Sequence, residues 1–430
     1  MRVHNFVHVA VVVLFALLIQ GQVTFGREAG VSLGLTINLA DVLIPVFGGY
    51  VLAALGFGWG RFPVLIPRLV PFWFIAVTLL FAFGILNGVT ATDTVSSWAL
   101  INRGLGWLVV VCYFYAIAYL QTNAAFNVPR LFFGTFAIGV LMVSVVNSAG
   151  IIYADYHDFF WLDRNSLMRY PLDGLTGNRN LFGLFFLTAL IPLTVYRLAG
   201  APLLRYGTDR VFYGLLPLFL GLNGSRTIQF ASIVLVLGFI AFYRQRFLRT
   251  YAASLGAGVA LAGAIVLLTA TPYWRENQVV RFQEITAQFG DTTAEYSHPS
   301  DLSRTVIYRE AITLWLGNPI LGAGIGAHAA YQKAVHGHII DLIDSTPLWL
   351  LCELGLVGLL FLTMFFAMLL RKSLMVTYAI DRSFALSVLF IMILFLMVGM
   401  LHQLFYTRYI WLVLGLVTAI SMPVRSGAAR

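Results

Sequence analysis

The chain has 430 residues, 60% hydrophobic and 10% charged, with a mean hydropathy of +0.86 and a formal net charge of +9. A soluble domain carries roughly a quarter charged residues, and a soluble core cannot hide this much apolar surface. An ordinary soluble protein is therefore excluded, and the two cysteines, Cys112 and Cys352, supply neither a disulfide framework nor a paired-cysteine metal site.

The apolar residues fall in runs of roughly 18–25, the length that carries a helix across a ~30 Å hydrocarbon core. Twelve segments are predicted, at about 5–23, 34–56, 69–88, 104–121, 130–152, 179–197, 211–222, 226–243, 250–272, 348–370, 383–404 and 408–423. The first is longer than a signal-peptide core and has no small-residue cleavage site, so it reads as a retained helix. The seventh and eighth are joined by a very tight turn at Asn223-Gly224-Ser225, and the last two are similarly close. The fold class is an all-α integral membrane protein with about twelve transmembrane helices. It divides into helices one to nine (1–272), a long loop (273–347), and helices ten to twelve with a tail (348–430).

An inside N-terminus assigns fifteen of the 27 Lys and Arg residues to the inner side, among them Arg244, Arg246, Arg249, Arg371 and Lys372. Five more lie in the long loop, which a short-loop count leaves out, so seven remain outside and both termini read as cytoplasmic. The long connections 153–178 and 273–347 then face outward. Arg164, Arg169, Arg179 and Arg226 sit in or beside outer loops, against the orientation signal. Pairing with Asp158, Asp163 or Asp173 is the plain reading for Arg164 and Arg169. The positive charge follows topology rather than a groove, which argues against nucleic acid.

The long loop contains five basic and eight acidic residues and half of the chain's eight histidines. Asp301 is predicted to cap a helix running to about Trp315, stopped by Gly317-Asn318-Pro319, with Leu302, Val306 and Ile312 along one side. A second helix is expected over about 275–289. Helices lying on the membrane surface suit a lipid-borne substrate.

Three features can carry chemistry. The segment from Val335 to Pro347 holds His336, His338, Asp341 and Asp344. It admits a histidine base oriented by a carboxylate, a metal site, or a solvated loop. Arg226 opens a helix at an outer edge, where guanidinium and backbone N–H donors together suit phosphate; a snorkelling arginine is the alternative. Arg304 and Arg309 are further anion candidates, although five residues apart they need not share a face. Asp41, within the second apolar run, is either functional or bonded to a neighbouring helix.

The motifs come in a familiar order. Gly177-Asn178-Arg179-Asn180 opens the sixth helix, and Gly224-Ser225-Arg226-Thr227 forms a Ser-Arg turn. Ser303-Arg304 precedes Gly317-Asn318-Pro319 and Gly322-Ala323-Gly324-Ile325-Gly326, and the run from Pro347 to Gly358 enters the next helix. This order resembles the O-antigen ligase and polymerase superfamily over roughly residues 175–360. Many members have a His-Asn pair where Asp344-Ser345 stands here, so the essential-histidine role is carried first to His338, with His336 as the other candidate.

The resemblance implies a glycosyltransferase of the bacterial inner membrane, with a fold similar to the GT-C enzymes and the loop catalytic and periplasmic. It implies a glycan donor on undecaprenyl pyrophosphate, a lipid A–core acceptor, contact with membrane lipids, and no metal or other cofactor. On this basis Arg226 and Arg304 stabilise the leaving pyrophosphate and His338 acts as base. Arg179, Asn180, Arg309, His336, Asp344 and Asp41 are the substrate-binding candidates. An O-antigen polymerase or a protein O-oligosaccharyltransferase would use similar groups. A polyprenyl-glycan flippase is the alternative of another class, but ionisable residues here concentrate at the outer face rather than at mid-membrane.

Overall fold

The structure, a computed structural model, describes residues 2–25, 35–92, 99–157, 172, 174–204, 207–269, 299–337 and 342–419. Its helices are α1 (Arg2–Leu18), α2 (Leu43–Gly56), α3 (Val70–Thr92), α4 (Gly106–Asn123), α5 (Val128–His157), α6 (Arg179–Leu198), α7 (Thr208–Asn223) and α8 (Arg226–Thr269). Then come α9 (Pro299–Gly317), α10 (Ala327–His336), α11 (Thr346–Ile380), α12 (Arg382–Gly399) and α13 (Arg408–Thr418). Eight segments among the described residues are long and apolar enough to cross a membrane, and α1 and α13 are shorter apolar helices. The protein is a multi-pass, all-α membrane protein.

The eight segments differ from the twelve expected in instructive places. The second expected segment, 34–56, does not begin as helix. Residues Leu35–Asn38 form a strand, antiparallel to Gln22–Phe25, and a 3-10 turn at Leu39–Val42 leads into α2. Asp41 lies in that turn, not in the helix proper. The eighth and ninth expected segments are covered by α8 alone, 44 residues without a break. α8 is nonetheless not straight. Gly258 packs so closely on the Gly214 carbonyl of α7 that no Cβ would fit between them. A straight helix would carry Gly258 ~48 Å from Arg226, whereas Gly214 is only ten residues, ~15 Å, from the end of α7. α8 therefore turns back on itself, and the residues between its arms are Arg244, Gln245, Arg246 and Arg249. All are helix formers, which is why a polar turn stays helical.

The core is aromatic and runs the length of the bundle. Trp107, Trp349, Trp411, Tyr113 and Tyr409 are among its fully buried side chains. Phe74, Phe81, Trp107 and Phe405 form a stacked series joining α3 and α4 to the α12–α13 connector. α6 is the innermost helix, with 89% of its apolar window buried.

The two ends of the bundle carry different ionic contacts. At the end where α6 finishes, Arg197 pairs with Asp209 at 3.6 Å, Arg246 donates to the Leu198 carbonyl, and Arg130 lies over Tyr196, which donates to Asp381. The opposite end, where α6, α8 and α11 begin, carries the candidate site.

Candidate functional site

The sequence builds this end from helix starts. Asn178 caps α6 by accepting from the Asn180 and Leu181 amides. Gly224, at φ 61°, closes α7 in the left-handed region that glycine adopts without strain. Ser225 then caps α8, accepting weakly from Ile228 N–H at 3.3 Å while its hydroxyl donates to Asn180 Oδ1 at 2.5 Å. Asn223 is fully buried, and its amide donates to the Arg179 carbonyl at 2.8 Å and the Leu172 carbonyl at 3.0 Å. The tight turn is thus stitched to the start of α6, and Arg179 and Arg226 are held on adjoining helix starts. Asn180 engages Ser225 through Oδ1 and ties the two motifs together.

The third helix start is α11. Ser345 caps it, with Pro347 in the first turn, and the Thr346 hydroxyl donates to the His402 carbonyl at 2.9 Å. His402 lies in the connector between α12 and α13. Its Nε2 is 3.3 Å from the Thr227 hydroxyl, next to Arg226, and it is within electrostatic reach of both Arg304 and Arg179. Burial, reinforced by these two guanidinium groups, pushes the His402 imidazole down to about 4. It is 8% exposed and therefore neutral near pH 7. Two arginines, Arg304 and Arg179, thus act on His402 where it sits against the starts of α8 and α11, an arrangement that favours an anion.

Arg304 reaches this point from α9. Its guanidinium is 3.2 Å from the Asp344 carboxylate. Burial raises the Asp344 carboxyl above its ordinary value, and Arg304 offsets part of that shift. Tyr308, one turn after Arg304, is raised by burial and by the Asp344 charge. The face of α9 that packs inward is Ile307, Glu310 and Ala311; of the side expected from the pattern, Val306 is half-buried, Ile312 is 42% exposed, and the Leu302 side chain lies outside the described residues. The difference arises because a buried carboxylate, Glu310, lies on the docked face and breaks the apolar stripe. Arg309 is exposed and ~140° round the helix from Arg304, so the two do not act together.

Glu310 organises a second cluster. His328, Gln332 and His336 are four residues apart along α10 and share one face. His336 Nε2 is 2.6 Å from Glu310 Oε1, Gln332 donates to Oε2 at 3.1 Å, and His328 Nε2 is 3.7 Å from Oε2. His328 is 2% exposed, and burial pushes it down to about 4 despite the neighbouring carboxylate. The chain therefore supplies a histidine–carboxylate pair in His336 and Glu310. His338, Asp341, Arg164, Arg169 and the helix expected at 275–289 lie outside the described residues. Among the described residues no three His, Cys, Asp or Glu side chains are grouped to hold a metal ion.

The glycine-rich run docks this loop onto the bundle. α11 is broken at Gly355 (φ 66°, ψ −167°), a conformation open essentially to glycine alone. The break leaves backbone groups unpaired, which a membrane interior does not tolerate. The loop pairs them: Ala323 and Gly324 N–H donate to the Cys352 and Glu353 carbonyls at 2.8 and 3.1 Å. Leu356 and Val357 N–H donate in return to the Pro319 and Ile320 carbonyls at 3.0 and 3.1 Å. At Gly322 a Cβ would lie 2.5 Å from the Gly355 nitrogen, so the backbones meet only because both residues are glycine. Ile325 N–H further donates to the Gly84 carbonyl of α3 at 2.8 Å.

Beside the break, the Trp349 indole donates to buried Glu353 at 2.6 Å, and Arg103 stacks over Trp349 and Tyr406 at 4.6 and 5.2 Å. Arg103 comes from a π-helical turn at Ala99–Leu105, a local widening often found near functional sites. Asp41 meets Arg408 at 2.9 Å and accepts from Tyr113 at 2.8 Å, joining the start of α2 to α4 and α13. A cavity of ≈ 310 Å³ lined by Asn127, Thr377 and Asp381 lies at the opposite end of α11 and is separate from this site.

His402 is the residue that sequence reasoning did not single out. It is a lone histidine at the end of the eleventh apolar run, and only the tertiary fold brings it to the arginines. Residues 211–363 match the family model described as O-antigen ligase, a stretch from α7 through the docked loop into the first part of α11. No curated protein is matched by the chain.

Proposed function

We propose that the protein is an O-antigen ligase, a reading supported by the match of residues 211–363 to the O-antigen ligase family model. It transfers polymeric glycan from undecaprenyl pyrophosphate to the lipid A–core oligosaccharide at the periplasmic face of the inner membrane, with both termini cytoplasmic. The single observation that carries this reading is His402 against the first turn of α8 at Thr227, the residue after Arg226, within electrostatic reach of Arg179 and Arg304. Fixed positive charge at that point suits a diphosphate whose negative charge grows as it leaves.

In this reading the glycosidic bond from the anomeric carbon to the diphosphate oxygen breaks, and the electron pair departs with the diphosphate. Arg226 and Arg304 stabilise that charge, with Arg179 beside them. The acceptor hydroxyl attacks the anomeric carbon from the opposite face, so configuration inverts. His338 takes the hydroxyl proton as general base, and His336, paired with Glu310, is the second candidate base. Arg304 is held for this work by Asp344, and the whole loop half of the site is held by the backbone docking at Gly355. The polyprenyl tail lies along the apolar helix surfaces, and the fold is of the GT-C kind.

The test is genetic and chemical. R226A, R304A and H338A, each at unchanged protein level, should abolish attachment of polymer to the lipid A–core while polymer accumulates on the lipid carrier. Normal attachment in all three overturns the reading. Attachment of a single repeat, with no lipid-linked polymer, identifies a polymerase instead.

A further inference from the structure

Resting on that reading of the anion site, we infer that His402 is a proton-linked ligand of the donor diphosphate: it takes up a proton as the diphosphate enters and then donates to it. The position of the side chain carries this. His402 is 8% exposed, and its carbonyl is anchored by Thr346. Its Nε2 faces the first turn of α8 at Thr227, where it is 3.3 Å from the hydroxyl. That contact is weak enough to be exchanged for a ligand oxygen.

The charged groups that act on it are Arg304 from α9, with its partner Asp344 from the connector to α11, and Arg179 from α6; Arg226 is the chain neighbour of Thr227 in the first turn of α8. An imidazolium among these guanidinium groups is repelled until an anion balances them. A diphosphate diester brings two negative charges to the same point. Once they are in place the imidazolium is favoured, and it adds a charge-assisted hydrogen bond that the empty protein cannot offer. A glutamine at this position could still hydrogen-bond, but it could not change charge.

The consequence is a linkage between donor binding and pH. In the empty site the imidazole is pushed down to about 4. If the diphosphate restores the ordinary histidine value, affinity should rise about ten-fold between pH 8 and pH 5.5. A polyprenyl diphosphate-linked sugar is the right probe, because both its phosphates are strong acids that do not titrate in this range.

Calorimetric titration of the full chain in lipid nanodiscs with that probe, repeated in buffers of different ionisation enthalpy, counts the protons taken up. Wild type is expected to take up a proton at pH 5.5–6 and to bind about ten-fold more tightly at pH 5.5 than at pH 8. H402Q should bind like wild type at pH 8 and lose both the uptake and the pH dependence. D344N, which removes the other titrating group beside Arg304, should keep both. Absence of uptake in the wild type, or its persistence in H402Q, overturns the inference. If R304A loses binding while H402Q retains the linkage, the assignment of His402 alone fails. Undiminished binding in R304A removes the anion site itself.

Discussion

Replacing Gly355 by alanine should separate the docked loop from the bundle, and the size of the effect can be worked from the backbone. Residue 355 stands at φ 66°, ψ −167°, where a side chain costs about 1–3 kcal/mol in strain. Its Cβ would also lie 2.5 Å from the Gly322 nitrogen, so the two backbones must move apart. Moving apart breaks the four hydrogen bonds that Pro319, Ile320, Ala323 and Gly324 make across the break in α11. At about 1 kcal/mol each these add ~4 kcal/mol, and more where no water replaces them.

G355A should therefore lose glycan transfer while remaining folded in the membrane. Hydrogen exchange measured by mass spectrometry on peptides spanning 319–326 should show the Ala323 and Gly324 amides losing their protection. G317A is the internal control. Gly317 ends α9 with open space around its Cα, so alanine there should leave activity and exchange unchanged. Wild-type transfer and protection in G355A would refute the idea that backbone docking holds the site together.

Further expectations concern the ionic contacts. R408A should leave Asp41, 17% exposed, without its cation and cost about 3 kcal/mol, read as a lower thermal midpoint that R408A/D41N partly restores. E310Q should weaken the 2.6 Å contact to His336 and lower turnover more than donor affinity, whereas R304A should lower both. His328 and His402, each pushed down to about 4, are neutral in the folded state while free histidine titrates near 6.5. The unfolded chain thus binds more protons in that window, so stability is full above pH ~6.5 and falls steadily toward pH ~4. H328Q should blunt the fall, measured as the thermal midpoint against pH.

Much of the fold was legible because membrane helices announce themselves by length and hydropathy. The errors came where tertiary pairing overrode that signal. Leu35–Asn38 is apolar enough for a helix, yet it pairs as a strand with Gln22–Phe25. The turn between the arms of α8 is basic but made of helix formers, so the two expected segments run on as one helical element that turns back between them. At the site, the Ser225-Arg226 turn and the glycine run were visible as local motifs. Their reasons were not: Gly322 is glycine because it meets Gly355, 33 positions later. Glu310 looked like a polar interruption of an amphipathic helix and is instead the hub for Gln332 and His336. His402 carried no local signal at all, since what gives it chemistry is its distance from arginines on other helices.

The most direct measurement of the central claim is transfer in a purified system. The full chain in proteoliposomes, given undecaprenyl diphosphate-linked glycan and lipid A–core, should produce glycosylated lipid A–core and release undecaprenyl diphosphate. R226A and R304A should each reduce this by at least ~100-fold, as loss of a charge-stabilising donor does. Wild-type transfer rates in both variants, or no transfer by the wild type with the donor intact, would contradict the account.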